Sequence, residues 1–412
     1  MLKRCYILSK LNTFTYKSQR YVNTKVPFDI NETDDQYKGI NTMYSDMFSQ
    51  SLSNTNTKDD NTDISRETNP LSECDKLNKE FQDLFQVDNT CLSGKELEHK
   101  VTSPGRFILK SLSNNPYYNL ALEDYVFRKT PVSKEISHDV FPNHRLLFYI
   151  NKKCAVIGKN QTVWQEVYLS ELQEQSYELL RRLSGGGAVI HDLGNVNYSF
   201  ITSRNEFHSS FFNELIVKWL HSYDETLPVT LNKRSDILFD GKKCGGSAFK
   251  IAQGKAYHHG TMLVNSDLGN FHGLLKAKDI PGIKWDSPSV DSVRSNVSNI
   301  SLKSTDNFMD ICIDGFRTDF KGANHHEIPV YFCNEDITIN DEINSSMNTL
   351  KDDKWKYFNG PKFDVAFLDK QVFISCEKGI ITKCNIAGLE GKAFKTLWED
   401  KKVYRNIYQN KF

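Results

Sequence analysis

Apolar residues with regular spacing begin near residue 107 and continue almost to the end of the chain. Between Phe211 and Tyr223, aromatic and aliphatic residues repeat with a helical period, which predicts an amphipathic helix facing the core. A second helix is predicted after Asn115-Pro116, because Asn caps helix N-termini and Pro fits the first turn. A closing helix is predicted at Leu389–Glu399, and helices and loops, without strands, are predicted from about 265 to 340.

Short apolar runs predict strands throughout the same region. They lie at Phe107–Leu109, Leu146–Ile150, Ala155–Gly158, Asn197–Thr202, Asp236–Phe239, Gly260–Val264, Phe363–Phe367, Gln371–Ser375 and Gly379–Asn385. Adjacent strand pairs mixed with separate helices favour an α+β fold, with a mixed sheet and flanking helices, over a doubly wound sheet.

The first hundred residues have a different composition. Residues 1–28 contain six Lys or Arg residues and no Asp or Glu, and they are rich in hydroxyl groups. This pattern is typical of a mitochondrial transit peptide, which would place the protein in the matrix; a basic disordered tail is the alternative. Residues 29–104 are dominated by polar side chains, and we expect a disordered linker because so little apolar surface cannot offset the entropy of ordering.

The overall composition excludes several classes of protein. The 412 residues include 52 basic and 52 acidic side chains, so no net positive field attracts nucleic acid or an anionic membrane. No apolar run approaches the roughly 18 residues of a membrane span. The nine cysteines form no CxxC pair, which disfavours a disulfide framework or a zinc site and indicates a reducing compartment.

Two arginines and three glycines stand together at Arg181-Arg182-Leu183-Ser184-Gly185-Gly186-Gly187, before a short β-branched run. Glycines let backbone N–H groups approach a ligand, and guanidinium groups match phosphate or carboxylate oxygens. The pattern predicts an anion-binding loop attached to a sheet. A mobile glycine turn with solvated arginines is the alternative on these residues alone.

A second polar block runs from Asp236 to Ala248 and contains Lys243 shortly before Gly245-Gly246-Ser247. A lysine on a hairpin followed by small residues brings an ammonium group to a ligand that the backbone also approaches, although Asp-Gly-Lys is also an ordinary hairpin turn. In the third block, His258 and His259 are adjacent on a predicted strand. They must point to opposite faces, so we expect core or rim histidines and no shared metal.

In order and spacing, these blocks resemble the lipoate-protein ligase A family. The resemblance rests on RRLSGGGAVIHDLGN from Arg181, on Lys243 with its following glycines, and on His258-His259-Gly260. Further matching stretches cover nearly all of residues 105–400; they are Asn119–Ala121 with Glu123, Val156–Gly158 with Asn160, Gln161 and Trp164, Ser292–Val297, and Trp355 with Gly360-Pro361.

The resemblance implies the catalytic fold of biotin-protein ligases and class II tRNA synthetases over residues 105–340, and a short accessory domain over 341–412. It implies that lipoate or octanoate and ATP, with Mg²⁺, form lipoyl-AMP, and that the acyl group then passes to a lysine of a carrier domain. A lipoyl- or octanoyltransferase that uses acyl-AMP, acyl-CoA or another lipoylated protein is the alternative.

The resemblance also implies roles for single residues. Lys243 is the catalytic residue and contacts both the lipoyl carboxylate and the phosphate. The adenylate site comprises Arg182, Gly187, Ala188, Val189, Ile190 and Lys243. Lipoate contacts fall on Gly185, Gly186, His259 and Lys243, and Asp236 is a candidate for orienting the incoming lysine or a structural strand-end aspartate. No protein metal ligands are expected, and Cys244 is interpreted as a small buried thiol.

An apolar acyl chain requires a tunnel, and Val156, Val189 and residues near Trp164 are candidate walls. The implied partners are the lipoyl domains of 2-oxoacid dehydrogenase acyltransferase subunits and the glycine-cleavage H protein, with a monomeric enzyme making a transient contact. The chain departs from the family pattern at Ile190, Ser235 and Gly245. Its short C-terminal part leaves open whether it activates the acid with ATP or receives an activated acyl group.

Overall fold

One large mixed sheet, two smaller sheets and helices on both faces make up the architecture. The computed structural model describes residues 90–132, 141–275, 279–321 and 327–399. The helices are α1 Gly94–Thr102, α2 Pro116–Lys129, α3 Val163–Glu166, α4 Leu169–Glu174, α5 Phe211–Tyr223, α6 Thr305–Asp319, α7 Asp341–Lys351 and α8 Phe394–Glu399. The strands are β1 Phe107–Ser111, β2 Arg145–Tyr149, β3 Cys154–Ile157, β4 Glu178–Arg181, β5 Val189–His191, β6 Asn195–Ser203, β7 Val229–Leu231, β8 Ile237–Phe239, β9 Lys242–Ala252, β10 Lys255–Leu263, β11 Ile283–Asp286, β12 Val330–Cys333, β13 Phe363–Phe367, β14 Val372–Glu377 and β15 Ile380–Cys384.

The large sheet has eight strands in the order β12-β1-β2-β6-β10-β9-β8-β7. The pairs β12–β1 and β1–β2 are parallel, and the remaining neighbours are antiparallel. Its two faces are covered by different helices. Apolar residues of α5 and α6, such as Phe212, Trp219 and Phe308, pack on one face, and residues of α1, α2 and α7, such as Tyr118 and Ile343, pack on the other.

The two smaller sheets, β4-β3-β5 and β11-β13-β14-β15, share a third apolar core. Strand β3 connects this core to the main one, because alternate side chains of a strand point to opposite sides. Val156 belongs to the core beneath α2, whereas Ala155 and Ile157 face the C-terminal sheet. The segment from β3 to β5, which carries the glycine-rich loop, is therefore held between two cores.

The predicted α+β class with a mixed sheet and flanking helices is confirmed. Helix α5 has the predicted bounds, and α2 starts with Pro116 in its first turn and the Asn115 side chain accepting from the Tyr117 amide. Strand β13 matches its predicted range, Phe363–Phe367. These elements agree because their signals are local: a helical stripe, a cap and a period of two.

Three predicted assignments are wrong in their local structure. The end of the supposed linker, 29–104, contains helix α1, which begins with a capping box at Ser93 and buries Leu97 and Val101. The region from 265 to 340 contains strands β11 and β12, whose partners β13 and β1 are far away in sequence. The closing helix begins at Phe394 and not at Leu389, because Gly391 adopts a left-handed φ of 81° just before it.

The predicted boundary at residue 341 also needs correction. Helix α7 buries Ile343, Met347 and Leu350 in the core beneath the large sheet, so it belongs to the main body. Strand β11, which precedes this boundary, forms the edge of the C-terminal sheet. The described residues, from 90 to 399, all fall within one compact unit. The predicted transit peptide and the linker up to residue 89 lie outside the described residues, and within the described part no helix is long and apolar enough to cross a bilayer.

Glu206 stabilises the end of β6 in a pH-dependent way. Burial alone would raise the pKa of its carboxyl group, but hydrogen bonds from His144, the Phe141 amide and the Thr202 hydroxyl outweigh burial and lower the pKa from 4.5 to about 2. A lowered pKa in the folded state contributes stability above pH 4.5, and this contribution is lost as the pH falls toward 2. We expect Glu206→Gln to remove about 2 kcal/mol of unfolding free energy at pH 6, after allowance for partial solvent exposure, and less at pH 3. Urea unfolding at the two pH values measures this; the exposed Glu214→Gln is the control, and equal losses at both pH values would contradict the assignment.

Candidate active site

A cavity of about 950 Å³ lies between the glycine-rich loop, the central strands β9 and β10, and the extended segment 291–297. Its lining includes eight of the predicted site residues: Arg182, Gly187, Ala188, Val189, Ile190, Asp236, Lys243 and His259. Val156, which was predicted together with Val189 as a tunnel wall, lines it too. The predicted site residues Gly185 and Gly186 are not in the lining, and Trp164, near which further tunnel walls were predicted, is buried in the C-terminal core.

A β-bulge directs Lys243 into the cavity. Strand β8 pairs Ile237 with Gly245 but Leu238 with Lys243, so one extra residue, Cys244, interrupts the ladder. Such a bulge re-aims the neighbouring side chain. The extended segment 291–297 holds the backbone of Lys243 on its other side, because the Lys243 amide donates to the Asn296 carbonyl (2.9 Å).

The ammonium group of Lys243 lies beside a carboxylate and a glycine. Its Nζ is 2.7 Å from Oδ1 of Asp236, and both side chains are largely buried, with 26% and 11% exposed. A Cβ atom at Gly246 would lie 2.8 Å from Nζ and Cε of Lys243. Gly246 therefore provides the space in which the lysine side chain reaches Asp236.

Arg182 holds the glycine-rich loop in shape from the inside. Its Nη2 donates to the carbonyls of Gly185 (2.5 Å) and Gly187 (2.8 Å), its Nε donates to Ser184 and Gly185, and its Nη1 donates to Val156. Burial lowers the pKa of this guanidinium to about 10, so it remains charged at neutral pH. Most of its donors are engaged by the loop, an arrangement that the motif alone did not reveal; its predicted contact with the nucleotide stays a prediction.

Arg181 contacts a different part of the molecule. Its Nη1 donates to the carbonyls of Lys159 (2.9 Å) and Gln161 (2.7 Å), and its Nη2 and Nε donate to Lys356. The Trp355 indole donates back to the Arg181 carbonyl (2.7 Å). The first arginine of the pair thus joins the loop after β3 to the start of the C-terminal region and does not line the cavity.

A buried hydrogen-bonded chain underlies the loop. Nδ1 of His259 donates to the Glu123 carboxylate at 3.0 Å, and Nε2 lies 2.9 Å from the Ser184 hydroxyl oxygen. Ser184 accepts in turn from Arg182. The chain fixes the ring orientation of His259, which lines the cavity. Glu123 and Ser184 were not assigned roles from the sequence, because 136 residues separate Glu123 from its partner His259.

The two adjacent histidines lie on opposite sides of the sheet, as predicted. His258 packs among the rings of Tyr198, Phe212 and Phe249, and burial lowers the pKa of its imidazole to about 3. His191, on β5, also lines the cavity; burial, followed by the charges of Arg182 and His259, lowers its pKa to about 3. His191 and His258 are therefore neutral at physiological pH.

Ser292 joins the extended segment 291–297 to the glycine-rich loop. Its Oγ accepts from the Ala188 amide (2.8 Å) and from Gln161 Nε2 (3.1 Å), and it donates to Glu166 (2.5 Å). A Cβ atom at Gly187 would lie 3.1 Å from this serine. The contact was missed as a site feature because it pairs residues more than 100 positions apart.

Cys244 is a buried thiol, as predicted. It is fully buried, its Sγ points toward the Ile237 carbonyl (3.5 Å), and burial raises the pKa of the thiol to about 12. A thiol with such a pKa is a poor nucleophile at neutral pH. Within the described ranges, no group of three or more His, Cys, Asp or Glu side chains is placed to hold a metal ion.

Comparison with known proteins is consistent with this geometry. Residues 115–317 match the family model for the lipoyl protein ligase A/B catalytic domain. A Saccharomyces cerevisiae protein named "Putative lipoate-protein ligase A" is 46% identical over 379 residues, which cover 90% of this chain and 91% of that protein. The Homo sapiens protein named "Lipoyl amidotransferase LIPT1, mitochondrial" is 33% identical and is matched over 70% of this chain and 77% of its own length.

A solved structure has the same fold. The crystal structure of P. falciparum LipL1 in complex with lipoate superposes with a TM-score of 0.52 and 26% identity, covering 68% of this chain and 84% of that one. The matched regions include the glycine-rich loop, Lys243 and the His258-His259 strand, which together surround the cavity. The chain therefore belongs to the lipoate-protein ligase A family.

Proposed function

We propose that the protein joins lipoate, or octanoate, to ATP to give the acyl adenylate and pyrophosphate, and then transfers the acyl group to a lysine of a carrier domain. The observation that carries this proposal is the position of Lys243. Its ammonium group enters a cavity that is also bounded by backbone of the glycine-rich loop, at 187–190. A mobile glycine turn with solvated arginines, the alternative from the sequence, does not account for two buried guanidinium groups.

The adenylation step brings two anions together. The lipoate carboxylate attacks the α-phosphorus, an acyl–phosphate bond forms, and the bond to the departing pyrophosphate breaks. Negative charge grows on the phosphoryl oxygens, and a fixed cation lowers this barrier without having to reorganise. In our proposal Lys243 is that cation and bridges the carboxylate and the phosphate. Arg182 acts by binding the carbonyls of Gly185 and Gly187, which fixes the loop backbone at 187–190 against which the adenylate lies.

Lipoate occupies the inner part of the cavity in this proposal. Val156 and Val189 offer apolar walls for the acyl chain, and His259, held by Ser184 and Glu123, also lines the cavity. Gly185 and Gly186 contribute through the loop's shape, since neither lines the cavity.

The transfer step needs no protein nucleophile. The carrier lysine attacks the acyl carbon, the acyl–phosphate bond breaks, and AMP leaves with its electron pair while the amine loses a proton. In our proposal Asp236, whose Oδ1 lies 2.7 Å from Lys243 Nζ, orients the incoming amine. Mg²⁺ would arrive bound to the phosphates of ATP, its usual mode in phosphoryl-transfer sites.

The similarity to a lipoyl amidotransferase supports a second candidate, transfer from a preformed activated donor. One assay separates the two: purified carrier domain is mixed with lipoate plus ATP, with lipoyl-AMP, with octanoyl-CoA, or with a lipoylated protein. Pyrophosphate release and carrier modification from lipoate plus ATP would support the ligase. Modification only from an activated donor would establish the transferase instead, and no modification from any donor would refute both.

The proposed partners are lipoyl domains of 2-oxoacid dehydrogenase acyltransferase subunits and the glycine-cleavage H protein, met by a monomeric enzyme in the mitochondrial matrix. The mitochondrial name of the human relative and the acid-free residues 1–28 support this location.

Deleting residues 1–28 should abolish import into isolated mitochondria; undiminished import would refute the transit peptide.

A further inference from the structure

We infer that Asn213 is a positioning residue for the Lys243–Asp236 pair, and that it acts through the backbone of Ser235. The inference rests on the proposed role of Lys243. Asn213 lies on helix α5, behind the sheet, and does not line the cavity. Its side chain nevertheless ends one peptide unit away from Asp236.

Both ends of the Asn213 amide are used. Its Nδ2 donates to the Ser235 carbonyl at 2.6 Å, and its Oδ1 accepts from the Tyr198 hydroxyl at 2.8 Å. The side chain of Asn213 is fully buried. Burying an amide on this face of α5, which otherwise packs aromatic side chains into the core, costs free energy unless the amide is hydrogen-bonded. The hydrogen bond to Ser235 therefore constrains the turn before β8.

The turn that Asn213 holds is conformationally unusual. Ser235 has a φ of 62°, in the left-handed region that a side chain disfavours. Asn232 completes the turn: its Oδ1 accepts from the Asp236 amide (3.0 Å), and its Nδ2 donates to Asp236 Oδ2 (3.1 Å). The carboxylate of Asp236 is thereby directed so that its other oxygen, Oδ1, meets Lys243.

A glycine on the neighbouring strand makes the connection possible. A Cβ atom at Gly260 would lie 2.3 Å from the Tyr198 hydroxyl oxygen, so only glycine lets that hydroxyl reach Asn213. Gly260, which follows the two histidines, must therefore be glycine because of its contact with Tyr198 on the side of the sheet away from the cavity.

The position of Lys243 therefore depends on the hydrogen bond between Asn213 and Ser235. If the Ser235 carbonyl is released, the left-handed turn relaxes, Asp236 loses its orientation, and Lys243 is no longer held where the phosphate must bind. Small misplacements of this kind reduce turnover more than substrate binding. The expected signature is therefore a lower kcat with nearly unchanged KM.

The test compares Asn213→Leu, which keeps the shape and removes both hydrogen bonds, with the same change combined with Ser235→Gly. We expect Asn213→Leu to lower kcat for carrier modification about tenfold and to change KM for lipoate and ATP less than about twofold. Because glycine adopts the left-handed turn without strain, Ser235→Gly should restore most of the loss. Gln253→Gly relieves a φ of 53° in an exposed turn elsewhere and is the matched control; it should not restore activity.

A second readout does not depend on catalysis. Reductive methylation followed by mass spectrometry measures the reactivity of Lys243 relative to the exposed Lys95. Asn213→Leu should raise the relative rate at Lys243 several-fold, because the ammonium group is released from its pair. If the unmodified protein transfers no acyl group from any donor, the proposed function fails, and the labelling result still decides the positioning role.

If Asn213→Leu does not fold, Tyr198→Phe is the alternative variant. It removes only the hydroxyl group that donates to Asn213. It should lower kcat about threefold and raise the labelling of Lys243 in the same direction. Normal kcat and normal labelling in a folded variant of either residue would overturn the inference. So would equal rescue by Ser235→Gly and Gln253→Gly, since that would indicate a general effect on stability.

Discussion

Replacing Lys243 by Ala is expected to reduce lipoate-dependent pyrophosphate release about a thousandfold, since one well-placed donor to a developing oxyanion supplies roughly this much. The ammonium group lies 2.7 Å from Asp236 and is aimed by a bulge into the cavity. The measurement is pyrophosphate release under saturating lipoate and ATP. Near-normal turnover would show that Lys243 is not the catalytic cation.

A matched control separates charge at the site from charge in general. Lys233→Ala removes an exposed ammonium group ten residues earlier in the sequence, outside the cavity lining, and should leave turnover unchanged. Thermal unfolding of both variants shows whether the fold is intact, because Lys243→Ala leaves a largely buried carboxylate without its partner. A loss of activity accompanied by unfolding would not support the catalytic role.

Replacing Gly158 by Ala is expected to destabilise the protein by roughly 3 kcal/mol, at the upper end for overpacking, and to abolish lipoate binding. A Cβ atom at this position would lie 2.0 Å from the carbonyl oxygen of Gly186, so the backbone of the glycine-rich loop would have to shift, which costs more than turning the end of a flexible side chain. The displaced loop would lose its hydrogen bonds to Arg182. Urea unfolding and isothermal titration with lipoate measure the two effects.

Gly185→Ala, in the glycine-rich loop that Gly158 approaches, is the control for stability. No heavy atom lies within 4 Å of a Cβ atom built there. Its unfolding free energy should therefore stay close to that of the unmodified protein. Equal destabilisation by the two substitutions would show that the close approach of Gly158 to the Gly186 carbonyl is not the cause of the loss.

Much of the local structure could be predicted from the sequence. Helix α5 was predicted from its aromatic stripe, α2 from its cap, and β13 from a run bounded by turns, because each signal lies within the element. The strands β11 and β12 had no comparable signal. Their stability comes from pairing with β13 and β1, and short strands acquire their identity from such distant partners.

The sequence likewise predicted some features of the site and missed others. The glycine-rich loop and Lys243 could be identified from the sequence, because glycine runs and a lysine on a hairpin restrict the possible chemistry. The sequence also predicted that His258 and His259 separate to opposite faces, since strand geometry requires it. It assigned Arg182 to the adenylate site, but it showed neither that Arg182 shapes the loop nor that Arg181 binds the C-terminal region.

By itself, the sequence determined the fold class, the segments that meet around the cavity and the family, because residue type and spacing carry that information locally. Only the tertiary structure decided how Lys243 is aimed, which of its neighbours hold it, and why Gly260 must be glycine. Those features arise from hydrogen bonds and close approaches between residues that are distant along the chain, such as Asn213 with Ser235 and Ser292 with Ala188. A linear pattern does not record such pairs, since each partner alone is an ordinary polar or small residue.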